Sequence, residues 1–183
     1  MISLTGAAIL SMENKEMQGK VPAVFFDRDG TLNVDTGYLH ETDKLQWMPE
    51  AKEAVKYVND KGYLAIVITN QSGVARGMFG EEEVRALHDY MNKELGAIGA
   101  HIDAFYYCPH HPEAAVPAYR QACSCRKPKS GLIEQACRDY SLDLGRSLMV
   151  GDSPRDVQCG EGIGVRGILY KGESLLALVR QYI

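Results

Sequence analysis

Short apolar runs alternate with amphipathic stretches along nearly the whole of this 183-residue chain, and few folds accommodate that order. Val21 to Phe26 and Tyr63 to Thr69 are continuous and β-rich, as strands buried on both faces are. Ile102 to Cys108, Ser147 to Val150 and Val165 to Tyr170 read as three more strands. Between them, Glu50 to Lys61 carries Ala51, Ala54, Val55 and Val58 at helical spacing, and Gly62 stops it. Glu81 to Ile98 repeats the pattern with Val84, Leu87, Met91 and Leu95. Its first turn holds Glu81, Glu82 and Glu83, which suit the positive end of a helix dipole. Ser130 to Tyr140 and Ser174 to Tyr182 are further helices. After the fourth strand, Ser153 is placed as an N-cap, Pro154 at the first helical position and Asp156 in the capping-box position. This alternation predicts an α/β fold, a doubly wound parallel sheet with helices on both faces. The length fits one domain, taken as residues 21–183, with a proper core.

The net charge is −4 with no basic block, which argues against nucleic acid or an anionic membrane as partner. No apolar run approaches the roughly 18 residues of a membrane span. Residues 1–20 are faintly apolar, then polar, and lack a basic n-region. They read as a flexible extension and not as a targeting signal, and the protein is expected in the cytoplasm.

Chemistry gathers where the strands should end. Phe26-Asp27-Arg28-Asp29-Gly30-Thr31 puts two carboxylates one residue apart just past the first strand. That end of an open α/β sheet is where ligands bind. One carboxylate can attack an electrophile while the other handles protons, and a divalent cation can cancel their repulsion. Thr69-Asn70-Gln71-Ser72-Gly73 follows the second strand, and the Thr69 hydroxyl with the N–H groups around Asn70 can hold phosphate oxygens. Arg126-Lys127-Pro128 lies before a helix, where an ammonium can neutralise a phosphoryl group. Gly151-Asp152 follows the fourth strand with a carboxylate for a cation. Phosphoryl transfer rests mainly on positioning and charge neutralisation, which such residues supply. A hard cation with oxygen ligands points to Mg2+.

Residues 109–129 break the rhythm with four prolines and little periodicity. A loop this long needs a reason. Cys108, His110, Cys123 and Cys125 bracket it as a Cys3His set suited to a closed, structural Zn2+ site, in a zinc loop spanning 108–125. His111 is an alternative to His110, but one residue then separates each donor pair only with His110. Cys137 and Cys159 fall in helices and read as small core residues.

The order D-x-D-G-T, T-N, K-P and G-D, each at a strand exit or helix entry, resembles the haloacid dehalogenase (HAD) superfamily. C-P-H-H-P-E, the long loop and C-S-C-R-K-P-K-S-G resemble its heptose-1,7-bisphosphate phosphatase branch over nearly all of the chain after residue 20. The resemblance implies a HAD-like fold without a large cap domain, and hydrolysis of the C7 phosphate of a small sugar bisphosphate in nucleotide-activated heptose synthesis. Asp27 is then the nucleophile and Asp29 the acid and base. Thr69 and Lys127 hold the phosphoryl group. Mg2+ lies on the Asp27 carboxylate, the Asp29 backbone carbonyl and Asp152. Asp35, Thr36, Gly37, Tyr38, Asn70, Gln71 and Ser72 meet the substrate, and Arg126 reads its distal phosphate. Asp156 can be a carboxylate that supports the metal ligands from behind, but its capping role already accounts for it. The chain departs from the family in having Ser153, and not lysine, after Asp152. The alternative within the superfamily is a histidinol-phosphate phosphatase, a family related to that branch whose loop is typically shorter than the twelve residues between His110 and Cys123 here. A phospho-accepting receiver domain is the non-enzymatic alternative, and Asp29 argues against it. A monomer is expected.

Overall fold

The protein is described by a computed structural model over residues 19–183. The expected extension at residues 1–20 falls almost wholly outside that range. Five strands form, β1 (Ala23–Phe26), β2 (Leu64–Asn70), β3 (Ala104–Cys108), β4 (Leu148–Gly151) and β5 (Arg166–Leu169). The helices are α1 (Ala51–Asp60), α2 (Ser72–Ala75), α3 (Glu81–Gly96), α4 (Gly131–Asp139), α5 (Pro154–Glu161) and α6 (Leu175–Val179). All five predicted strands and the predicted helices are present. The four-residue α2 was not anticipated, because one turn is too short to show a period. β1 begins two residues late: Pro22 has no N–H to give a ladder, and Val21 makes only an isolated bridge to Leu142.

The sheet is parallel throughout, in the order β3-β2-β1-β4-β5. The chain winds from β1 out to β3, then returns to start β4 on the other side of β1. The switch point therefore lies between β1 and β4, and ligands of such sheets bind at its carboxyl edge. Side chains alternate between two cores, as the period of two requires. Val24 and Phe26 join Val67, Val150 and the inward residues of α1, α3 and α6. Phe25, Ile66, Ile68 and Met149 face Leu132, Ile133 and Ala136 of α4 and Cys159 of α5. Trp47 packs against the first core and donates its indole N–H to Glu94 at 2.8 Å. Among the described residues no cap domain interrupts the sheet, and no helix is long and apolar enough to cross a membrane.

Candidate active site

Asp27 is the first residue beyond β1, and its N–H still donates to Val150 of β4 at 2.9 Å. Its carboxylate thus emerges at the switch point. Asp152 follows β4 directly, and Asp156 stands one helical turn on, in α5. Carboxylate oxygens of Asp27, Asp152 and Asp156 all lie within 4.8 Å of one another. Glycine makes this crowding possible. Gly30 has φ +82°, and a Cβ there would sit 2.3 Å from an Asp152 oxygen. Three carboxylates this close need positive charge. Lys127 supplies one part: its side chain is fully buried, with Nζ 2.7 Å from both Asp27 and Asp156. Their remaining oxygens are the hard donors that suit a divalent cation.

Asp156 is therefore more than a cap, and the sequence reading assigned it too little. One carboxylate oxygen accepts the Ser153 N–H at 3.0 Å, which is the expected cap. The other pairs with Lys127.

The two motif aspartates differ in environment. Burial pushes the Asp27 carboxyl up to about 6, against the pull of Lys127. Burial acts on Asp29 too, but the Arg28 guanidinium and the amides of Asn33 and Gln71 outweigh it and hold Asp29 below the usual carboxylate range. Arg28 grips Asp29 with Nε at 3.1 Å and Nη2 at 3.0 and 2.9 Å. Asn33 donates at 3.0 Å and Gln71 at 2.8 Å. Asp152 is raised by burial and by Asp156.

Both aspartates open onto a cleft of about 310 Å3, also lined by Asp35, Gly37, Tyr38, Thr69, Asn70, Gln71, Ser72, Arg126 and Arg155. Of the expected substrate contacts only Thr36 is absent from this lining. Asn70 binds the chain at Lys127 twice, accepting its N–H at 3.0 Å and donating to its carbonyl at 3.3 Å. That clamp ties the second motif to the third. Tyr38 holds a left-handed φ of 60°, a rare state for an aromatic residue and one that turns the loop at the cleft.

Arg28, His88 and Arg155 were missed in the sequence. A signal existed for Arg155, a cation in the first turn of α5 where the helix dipole favours anions. His88 is buried on α3, and burial followed by Arg28 pushes its imidazole down to about 3. A histidine depressed from 6.5 contributes stability above that pH and loses it as pH falls toward 3. The unfolding free energy of the wild type should fall by up to ~1.4 kcal/mol per pH unit from this group below pH 6.5. His88→Gln should lose that component in urea titrations at pH 7 and pH 5; an unchanged slope would show that His88 does not titrate on unfolding.

Cys108, His110, Cys123 and Cys125 place one donor each within 4.8 Å of the others, and all five cysteines are free. Sulfur separations of 3.1 to 3.5 Å crowd the three thiols around one point. These donors fit a tetrahedral metal, with His110 in the set and His111 outside it. The loop also has supports of its own. Val116 N–H reaches Ala75 at 3.0 Å, and the Tyr119 hydroxyl donates to Glu81 at 2.8 Å. Arg126 donates to the His110 carbonyl at 3.4 Å, so the thiol cluster and the cleft share a wall.

An acidic trio at the switch point, a buried lysine and a second aspartate held ready beside them define a HAD-like hydrolase. The HAD-hydrolase-like family profile matches residues 124–176. The D-glycero-beta-D-manno-heptose-1,7-bisphosphate 7-phosphatase of Rhodopseudomonas palustris is 44% identical over 160 residues, covering 87% of this chain and 89% of that protein. The protein of that name from Escherichia coli K12 is 40% identical, covering 87% and 84%. A D,D-heptose 1,7-bisphosphate phosphatase from B. bronchiseptica, solved with magnesium and phosphate, superposes with a TM-score of 0.72 at 29% identity, covering 88% of this chain and 97% of that one. The chain belongs to the D-glycero-beta-D-manno-heptose-1,7-bisphosphate 7-phosphatase family, a phosphatase family of the HAD superfamily.

Proposed function

We propose that the protein is a Mg2+-dependent phosphatase that removes the C7 phosphate of D-glycero-beta-D-manno-heptose 1,7-bisphosphate in the cytoplasm and leaves the C1 phosphate in place. The observation that carries this is the Asp27 carboxylate, 2.7 Å from a buried ammonium and within 4.8 Å of two more carboxylates, at a cleft with two guanidiniums. Asp27 attacks phosphorus, and the bond from phosphorus to the sugar oxygen breaks. Asp29 gives that oxygen its proton. Water then attacks the aspartyl-phosphate, Asp29 takes a proton from it, and phosphate leaves with Asp27 regenerated. The low resting proton affinity of Asp29 suits the second step. For the first, the arriving phosphoryl dianion raises that affinity by like-charge repulsion. Thr69, Lys127 and the N–H groups near Asn70 hold the transferring group.

Asp27, Asp152 and the Asp29 backbone carbonyl would hold Mg2+, which supplies charge neutralisation when bound. Cys108, His110, Cys123 and Cys125 would hold Zn2+, which supplies structural closure of the loop. Arg126 and Arg155 are the cations left for the distal phosphate. The lysine absent at Ser153 thus has a substitute two residues on.

The test is phosphate release with Mg2+ from both anomers and from histidinol phosphate. The β-bisphosphate is expected to lead each by at least ~10-fold in kcat/KM, the scale of one lost charged contact. A lead for the α-anomer would overturn the anomer assignment, and a lead for histidinol phosphate would overturn the substrate class.

A further inference from the structure

Arg28 heads the largest fully buried side chains among the described residues, and the phosphoryl-transfer scheme above gives it no part. Its contacts gather three elements. The guanidinium forks onto Asp29 as described. Nη2 also donates to the Leu39 carbonyl at 3.0 Å, directly after Tyr38 in the loop that lines the cleft. Nη1 faces His88 Nε2 at 3.4 Å. The backbone N–H of Arg28 meanwhile donates to Asp27 Oδ1 at 2.7 Å. One residue thus holds both motif carboxylates and the substrate loop.

A buried guanidinium keeps a fixed direction only if its donors are matched. His88 provides the match from behind. It projects from α3, sixty residues away in sequence, and is 4% exposed. Its ring stacks on Phe105 of β3, with centroids 4.3 Å apart and planes 12° from parallel. Tyr107 meets its edge at 5.9 Å. These two rings fix the plane in which the imidazole meets Arg28. A bare Nε2 facing an N–H donor is the neutral tautomer, which accepts and adds no charge beside a guanidinium.

We infer that His88 is a positioning residue for catalysis: through Arg28 it fixes the orientation of the Asp29 carboxylate toward the cleft. This rests on the proposed role of Asp29 as acid and base. His88 does not line the cleft, so it sets how well the proton is delivered and not how well substrate binds. Misplacement of a reacting group by about 1 Å can cost ~100-fold.

The experiment compares His88→Leu with His88→Gln, on whichever phosphomonoester the wild type hydrolyses best. Glutamine can present an acceptor near the position of Nε2; leucine cannot. His88→Leu should lower kcat by ~10- to 100-fold with KM within about threefold, and His88→Gln should stay within about threefold of wild type in both. Arg28→Lys, which keeps the charge and loses the fork, should lower kcat as His88→Leu does, and it decides the matter if His88→Leu fails to fold. Equal losses in His88→Leu and His88→Gln, a rise in KM at constant kcat, or unchanged turnover in His88→Leu or in Arg28→Lys would overturn the inference. Wild-type inactivity on the heptose bisphosphate would instead count against the substrate reading. The His88 comparison would still stand on another substrate.

Discussion

Lys127→Met should lower phosphate release by roughly 100- to 1000-fold and destabilise the protein by ~3–5 kcal/mol at neutral pH. Methionine keeps most of the volume and the unbranched shape, so the change is chiefly in charge. Lys127 Nζ lies 2.7 Å from Asp27 and 2.7 Å from Asp156, with its side chain fully buried. Removing it leaves two buried carboxylates facing each other without a cation. The activity loss follows from the role proposed for Asp27: an anionic nucleophile must approach an anionic phosphoryl group, and Lys127 is the positive charge that the fold places beside it.

The sign of the pH effect separates this account from simple packing damage. Asp27 already has a folded-state pKa raised from 3.8 to about 6 with Lys127 present. Without the lysine it rises further. A carboxylate with a raised folded-state pKa stabilises the fold when protonated, and that contribution is lost as pH climbs from its unfolded value through the folded one. The stability deficit of Lys127→Met should therefore be small near pH 5 and large at pH 8. A deficit equal at both would point to packing. Adding Asp156→Asn removes one of the stranded charges while keeping an oxygen for the Ser153 N–H. The double variant should regain stability relative to Lys127→Met and regain no activity.

Much of this arrangement could be read from the chain. β1 ends in acidic residues, β2 in Thr69-Asn70 and β4 in Gly151-Asp152, and strand exits at one edge of a parallel sheet must converge. What stayed hidden was the pairing behind them. Arg28 stands between two aspartates, and nothing local shows that its guanidinium turns back onto Asp29 and not out to solvent. His88 lies four residues after Val84 and three before Met91, on the apolar stripe of α3. A polar residue there was the available sign of a buried partner, but the partner is sixty residues distant. Asp156 was hidden by a sufficient explanation. A cap uses one carboxylate oxygen, and the second was free to reach Lys127. The loop bracketed by the thiols was legible in its donors and not in its docking, since Val116 to Ala75 and Tyr119 to Glu81 are contacts of tertiary placement without local pattern.

That docking shapes the second large effect, the response to loss of the thiolate metal. Wild-type protein should carry about one Zn2+ per chain, and Cys125→Ser or a strong chelator should remove it. The loop tip at Pro117–Tyr119 has its own anchors on Ala75 and Glu81 and should keep its place. The stretch from Cys123 to Lys127 carries two of the four donors and would lose both; its remaining ties include the Gly131 N–H on the Ser124 carbonyl at 3.2 Å. Lys129 Nζ reaches the Cys123 carbonyl at 2.7 Å, and Asn70 clamps Lys127. Amide exchange should therefore rise first at residues 121–127, ahead of the loop tip. Lys127 is two residues from Cys125, so disorder there displaces the ammonium from Asp27, and kcat should fall by at least ~10-fold even with Mg2+ saturating. Structural zinc is worth ~10–16 kcal/mol in small peptides; if a quarter of that is coupled to global unfolding here, Tm should drop by roughly 10 °C. Zinc loss with unchanged exchange at 121–127 and unchanged kcat would sink the structural role. Loss of activity with unchanged exchange would move the metal from scaffold to chemistry, which its closed donor set argues against.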